Sequence, residues 1–196
     1  MENVKLACDY ELHYWRVHKG EEYKRVEVMI NMFSDLKGHK TVADVGCGPL
    51  CGIFHKLKFE KMFAIDPLWA DYEKNDLVVV PKNVIRIKAN AQTFKLEESP
   101  DLIVSFNAMD HSGNLKASIN NIMDNLSTDG RFCFHVHMRT KAQLNEGHQM
   151  LITEKMIDKI LSKYIVVNRQ VCKDPLDPSR KYMSYIAEVR HGKETL

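Results

Sequence analysis

The 196-residue chain has the length of one globular domain, and its 44% hydrophobic and 28% charged residues are ordinary for a soluble protein. Its 28 basic and 26 acidic side chains leave a net charge of +2, which excludes a strong overall attraction to nucleic acid or membranes. The sequence has no run of 18 apolar residues to span a membrane, and its N-terminus lacks the features of a signal peptide. We therefore predict one soluble cytoplasmic domain.

The cysteines support a reducing compartment. There are five, an odd number, and none forms a CxxC pair, which favours free thiols. Cys47 and Cys51 lie close together, and we expect them to be small apolar side chains rather than a metal or redox pair.

The N-terminal segment is rich in aromatic and histidine side chains. One interpretation of large aromatic side chains such as Tyr14 and Trp15 is that they dock this arm on the core. A helix is predicted from Gly20 to about Leu36, because its apolar residues fall on one stripe, and Gly38 is predicted to end it.

The stretch Thr41–Gly52 has the pattern of a buried strand, a tight glycine turn and a helix running from about Leu50 to Leu57. Glycines suit such a turn because it needs unusual backbone angles and close ligand approach. The exposed N–H groups of the turn favour electron-rich ligand groups. Asp44, at the strand end, is placed to meet a cationic amine.

A second acidic residue, Asp66, closes the strand-like run 61–65 and lies 20 residues after Gly46. A carboxylate there can accept hydrogen bonds from both hydroxyls of a ribose. A nicotinamide or flavin domain is the competing interpretation, but Gly52 comes one residue late for its G-x-G-x-x-G fingerprint. An acid before the first glycine would also repel a pyrophosphate, so this alternative is disfavoured.

The stretch Val42–Pro49, taken with Ala64–Pro67, resembles the motifs of class I S-adenosylmethionine (SAM) dependent methyltransferases. The resemblance implies that Asp44 and Gly46 hold the methionine part of SAM and that Asp66 holds the ribose. Three neighbouring residues are assigned to the same cofactor site: Cys47, Gly48 and Pro67.

The resemblance also implies contacts to adenine. Leu68 or Trp69 would pack against the ring. A third strand is predicted over 83–88, and the class places after it a polar side chain for the adenine amino group and a backbone N–H for a ring nitrogen. Asn90 and Ala91 stand there. Asparagine departs from the commoner aspartate, although an amide oxygen accepts the same bond, and a turn residue is the alternative.

The fourth predicted strand, 101–106, ends in Asn107, which is assigned to the cofactor. The carboxyl end of this strand faces the ligand crevice in such folds, so Asp110 and His111 are further candidates. The sequence lacks the Asp/Asn-Pro-Pro-aromatic signature of DNA and protein amino-methyltransferases, and it lacks a Pro-Cys nucleophile for base C5 methylation. Both classes are therefore disfavoured.

The fifth predicted strand, 131–137, follows a helix over 115–126 and carries His135 and His137 on one face. Two such histidines are typical of metal ligands or of a base, but the spacing fixes no third ligand, so we predict no metal. His137 is one candidate base, and His148, in a polar segment, is another.

A helix at 152–163 and a closing hairpin complete an α/β fold. The resemblance implies one Rossmann-like domain with a seven-stranded, mostly parallel sheet in the order 3-2-1-4-5-7-6, the last strand antiparallel, and helices on both faces. The predicted organisation is an N-terminal arm or lid at 1–20, a methyltransferase domain at 21–190 and a tail at 191–196. The resemblance implies the second interpretation of the aromatic N-terminal residues, since segments ahead of the first strand often cover the cofactor and shape the substrate pocket in this class.

The implied activity is in-line transfer of the SAM methyl group to an oxygen or nitrogen, with S-adenosylhomocysteine (SAH) as product. A small-molecule acceptor is expected, because the chain has little beyond the core fold. The candidate bases are His111, His137 and His148. The alternatives are a nucleic-acid acceptor and a non-catalytic SAM-binding subunit.

Overall fold

The computed structural model describes residues 2–18, 22–33, 36–175, 177, 179, 181 and 183–192. One seven-stranded sheet runs through them in the order β3-β2-β1-β4-β5-β7-β6, which confirms the predicted order. Only β7 runs antiparallel to its neighbours. The strands are β1 (Thr41–Val45), β2 (Lys61–Ile65), β3 (Val84–Ile87), β4 (Leu102–Phe106), β5 (Arg131–Met138), β6 (Ile165–Lys173) and β7 (Met183–Arg190).

Six α-helices accompany the sheet in the described part of the chain. They are α1 (Glu2–His18), α2 (Glu22–Asn31), α3 (Gly52–Lys56), α4 (Trp69–Lys74), α5 (Leu115–Asn125) and α6 (Glu154–Leu161). The helix predicted from Gly20 is the shorter α2, and Gly20 itself lies outside the described residues. Similarly, α3 begins later than predicted, because Cys51 takes the left-handed conformation (φ 46°) at its N-cap. The Thr153 hydroxyl caps α6, which is shorter than the predicted helix at 152–163.

The inner strands are buried on both faces, as parallel strands between helices must be. Phe132, Phe134 and Ile103 pack with α5 and α6 on one face of the sheet. Val42 and Val104 pack on the other face against residues of α1, α3 and α4. The carboxyl ends of the parallel strands therefore meet at one edge, where a ligand crevice forms. None of the described helices could cross a lipid bilayer.

Candidate active site

One cavity of about 420 Å³ opens at this edge of the sheet. Its size is that of a small-molecule site. The residues predicted for the cofactor or for catalysis all line it: Asp44, Gly46, Cys47, Gly48, Asp66, Pro67, Leu68, Asn90, Ala91, Asn107, His111, His137 and His148. The fold therefore brings together groups that are far apart in the sequence.

The glycine turn after β1 is tightly packed. Gly46 has a φ of +74°, and a Cβ built there would lie 2.2 Å from the Cβ of Ala108. Gly48 has a φ of +62°, and its Cβ would lie 2.3 Å from the indole ring of Trp15 in α1. The glycines thus allow the segment after β4 and the N-terminal helix to approach the turn.

We expect Gly46→Ala to lower the free energy of unfolding by about 2–4 kcal/mol, since it adds both left-handed strain and a steric clash. Gly38→Ala is the matched control, because Gly38 also has a positive φ (+87°) but no atom within 4 Å of a built Cβ. Denaturant unfolding of the two variants measures the difference. If the two variants lose the same free energy of unfolding, the structure around residue 46 moves enough to accommodate the added Cβ.

Asp66 links the glycine turn to the segment that leads into α4. Its Oδ2 accepts a hydrogen bond from the Gly48 N–H (3.0 Å), and its Oδ1 accepts one from the Leu68 N–H (2.9 Å). Burial raises the pKa of Asp66 to about 6, against the opposing effect of these two donors. The Tyr72 hydroxyl is a further hydrogen-bond donor to this carboxyl group. A carboxylate has about four lone-pair sites, so one remains for a ligand, and a second becomes available to a ligand hydroxyl that replaces Tyr72.

Asp44 is a second buried carboxyl group in the cavity, at 6% exposure. No cationic side chain pairs with it within the described residues. Burial, together with the charge of Asp66, raises the pKa of Asp44 to about 8. A cationic ligand group beside Asp44 would reverse this shift and ionise the carboxyl group.

The residues predicted to contact adenine differ in what their side chains do. The Oδ1 of Asn90 accepts hydrogen bonds from the Gln92 N–H (2.9 Å) and the Thr93 hydroxyl (3.0 Å), which is the turn role weighed as the alternative. Leu68 lines the cavity, whereas Trp69 is buried and donates its indole N–H to the Ala64 carbonyl. Trp69 is therefore a core residue.

Asn107 follows β4 in the left-handed conformation (φ 55°). Its backbone N–H donates to the His135 carbonyl (3.0 Å), which fixes the chain at this point. Its side-chain Oδ1 is buried and has no hydrogen-bond partner in the described part of the chain. A buried oxygen in this state costs free energy unless a ligand donates to it.

A cluster of titratable groups lies around Asp110, which the sequence marked as a candidate. Asp110 is buried, and its Oδ2 lies 2.9 Å from Nδ1 of His148 and 3.8 Å from Nη2 of Arg139. Burial alone would raise the pKa of Asp110, but the charge on His111 and the hydrogen bond from His148 hold it well below its usual range. Asp110 is therefore a carboxylate.

Both nitrogens of His111 face acceptors. Nδ1 lies 2.7 Å from the Gly147 carbonyl oxygen and Nε2 lies 3.1 Å from Oε1 of Glu11, so both nitrogens donate. Burial lowers the pKa of His111, but the carboxylates of Asp110 and Glu11 outweigh it and raise the pKa above its ordinary value. The ring is thus suited to carry a positive charge rather than to accept a proton.

His148 has the opposite character. Burial lowers its pKa, although the hydrogen bond with Asp110 opposes the shift. The ring is neutral near pH 7, and donation from Nδ1 to Asp110 leaves the lone pair on Nε2. The third predicted base, His137, is buried with Nε2 3.2 Å from Oδ2 of Asp174. His148, unlike His111, therefore has the electronic state of a general base.

The helix α1 lines the cavity with residues of the predicted arm or lid, among them the aromatic Tyr10, Tyr14 and Trp15. It also supplies Cys8 and Glu11, which the sequence reasoning missed. Cys8, Glu11 and Trp15 are three and four residues apart, the spacing of one helical face, and this was the available signal. Arg25 of α2 also lines the cavity and donates to the Tyr14 hydroxyl.

No protein-family model matches the sequence, and no curated protein is detectably similar to it. Solved structures do match the fold. The N-methyltransferase NodS from Bradyrhizobium japonicum, in complex with SAH, is 14% identical with a TM-score of 0.65, and the match covers 98% of this chain and 100% of NodS.

Two further solved structures share this fold. The 1,6-didemethyltoxoflavin-N1-methyltransferase from Burkholderia thailandensis, with bound 1,6-didemethyltoxoflavin and SAH, is 18% identical with a TM-score of 0.68 over 96% of this chain and 88% of that one. StiE O-MT residues 961–1257 are 12% identical with a TM-score of 0.62 over 88% and 74%. The chain therefore has the Rossmann-like fold of class I SAM-dependent methyltransferases.

Proposed function

We propose that the protein is a SAM-dependent methyltransferase that moves a methyl group to an oxygen or nitrogen of a small molecule. One observation carries the proposal. A single cavity has two buried carboxyl groups, Asp44 and Asp66, around a glycine turn and also contains a neutral histidine, His148, held by Asp110. Solved structures of this fold contain SAH, and one also holds a small acceptor.

The residues around the glycine turn fit SAM. Asp44 would pair with the α-amino group, which supplies the cation that this buried carboxyl group lacks. Asp66 would accept hydrogen bonds from the ribose hydroxyls while it holds the Gly48 and Leu68 N–H groups. The Ala91 N–H and the Leu68 side chain would meet adenine. When bound, SAM would supply a methyl group that is already electrophilic on its sulfonium.

The protein then has to orient the acceptor and remove its proton. Nε2 of His148 would accept that proton, and the Asp110 carboxylate would stabilise the resulting imidazolium. The Oδ1 of Asn107 would accept a hydrogen bond from one of the two ligands. The α1 helix would act as the lid of the site, because Glu11 reaches His111 and Trp15 covers Gly48. A covered cavity excludes water and favours a small acceptor.

Calorimetric titration with SAM, SAH and NAD tests the cofactor. We expect both adenosyl ligands to bind, and affinity to rise roughly twentyfold from pH 6.0 to 7.5, because the Asp44 carboxyl group must lose its proton to meet the amine. The sign follows from the pKa of about 8 in the free protein, since at pH 6.0 binding has to release that proton.

Asp44→Asn is the control, and its remaining affinity should depend far less on pH over this range. Binding of NAD alone would overturn the proposed function while leaving the fold intact. If the cofactor binds, incubation of SAM with small hydroxyl and amine compounds, followed by measurement of SAH, identifies the acceptor. Added RNA or DNA distinguishes the nucleic-acid alternative, whose affinity would fall with salt.

A further inference from the structure

A second titratable cluster lies behind the cavity wall. His135 and His137 project from the same face of β5, and Asp174 follows β6 directly. All three side chains are fully buried, at 0–1% exposure. One potential ligand atom from each lies within 4.8 Å of the other two. The strand order β5-β7-β6 brings Asp174 to the histidines, which spacing in the sequence could not show.

The hydrogen bonding of His135 indicates that this cluster binds a ligand. Its Nε2 lies 2.9 Å from the Ser184 hydroxyl, while its Nδ1 is buried without any hydrogen-bond partner in the described part of the chain. In the tautomer whose Nε2 donates to Ser184, Nδ1 carries the lone pair with which histidine binds metals.

We propose that His135, His137 and Asp174 form a binding site for a first-row divalent cation, with Zn²⁺ as its best-suited occupant. Two imidazoles and one carboxylate are a common ligand set for such ions. Ligand bonds near 2.1 Å in a tetrahedral site place ligand atoms about 3.4 Å apart. The 3.2 Å between Nε2 of His137 and Oδ2 of Asp174 matches this separation.

The proposed ion would tie β5 to the end of β6, and because His137 also lines the cavity, it would fix the wall beside His148. In this proposal His137 is a ligand instead of a base, and a metal is expected where the sequence analysis predicted none. Binding of the ion can be tested separately from the proposed methyl transfer, since its ligands are none of the residues around the glycine turn.

The full-length chain is stripped with a chelator, incubated with excess Zn²⁺, dialysed and analysed for metal. We expect about one Zn²⁺ per chain in the unmodified protein, and at least tenfold less in Asp174→Asn and in His135→Gln. His148→Gln is the matched control, because it changes a histidine of the neighbouring Asp110 cluster and should retain the ion. His55→Gln, at an exposed histidine, should also retain it.

Co²⁺ provides a readout on the unmodified protein, so that the test does not depend on the variants folding. Tetrahedral visible bands without thiolate charge transfer are expected, and Zn²⁺ should raise the melting temperature. A metal content below about 0.1 per chain, a thiolate band, or loss of the ion in His148→Gln would each overturn the proposal.

Discussion

Asp66→Asn is expected to weaken SAH binding by about 100-fold. The substitution removes the negative charge that would accept hydrogen bonds from two ribose hydroxyls, and each bond to a charged group contributes about 1.5–3 kcal/mol. It also replaces one acceptor with an amide donor, next to the Gly48 and Leu68 N–H groups that the carboxylate now holds. The same side chain would therefore no longer accept hydrogen bonds from both the glycine turn and the segment before α4. Calorimetry with SAH at pH 7.5, where Asp66 is ionised, measures the loss.

Asp71→Asn is the matched control for this experiment. Asp71 lies in the first turn of α4, close in sequence to Asp66, but it is exposed and does not line the cavity. The same chemical change there should leave SAH affinity within about twofold, as is usual for exposed sites. An Asp66→Asn protein that folds and binds SAH within threefold of the original would show that the ribose lies elsewhere.

The sheet could be predicted from sequence because its signals are local. The strands β1, β2 and β4 are short apolar runs, and each ends at a glycine or a polar residue. Asp44 and Asp66 could be assigned for the same reason, since strand ends and a fixed spacing place them at one edge. The cavity brings these residues together as the sequence reasoning required.

The α1 helix was not predicted because its buried face serves the cavity as well as the core. Glu11 and Cys8 stand on that face where a core helix would carry leucine or valine, so the apolar period is broken. The Glu11–His111 contact joins two segments about a hundred residues apart, and no local pattern encodes it. The sequence could name aromatic residues that dock the arm, but not the surface they cover.

The three candidate histidines show a different limit of prediction from sequence. Sequence placed His111, His137 and His148 in the site, but their roles depend on partners that only the fold brings near. Glu11 and the Gly147 carbonyl make His111 a double donor, and Asp174 lies beside His137. At His148 the partner, Asp110, leaves a neutral ring with a lone pair on Nε2. His111 and His148 therefore acquire different protonation states although their side chains are identical.

His148→Gln is accordingly expected to have the largest effect on turnover, a loss of about 10²–10⁴-fold in kcat with the acceptor found by screening. Glutamine preserves the volume and can still donate to Asp110, but it cannot take up a proton. SAH affinity should stay within about threefold, because His148 belongs to the cluster around Asp110 and not to the glycine turn. A parallel fall in affinity would show that the ring supports the cofactor instead.

The pH profile separates a base from a merely structural histidine. Because burial lowers the pKa of His148, it should be deprotonated and active at neutral pH, and the rate should fall only at a pH below the ordinary pKa of histidine. In His148→Gln this fall of the rate at acidic pH, the acidic limb of the profile, should be absent. His13→Gln, at an exposed histidine of α1, should keep both the rate and the limb. If the His148 variant retains the limb, the proton goes to another group, and the Asp110–His148 pair serves only to hold residue 148 against the wall of the cavity.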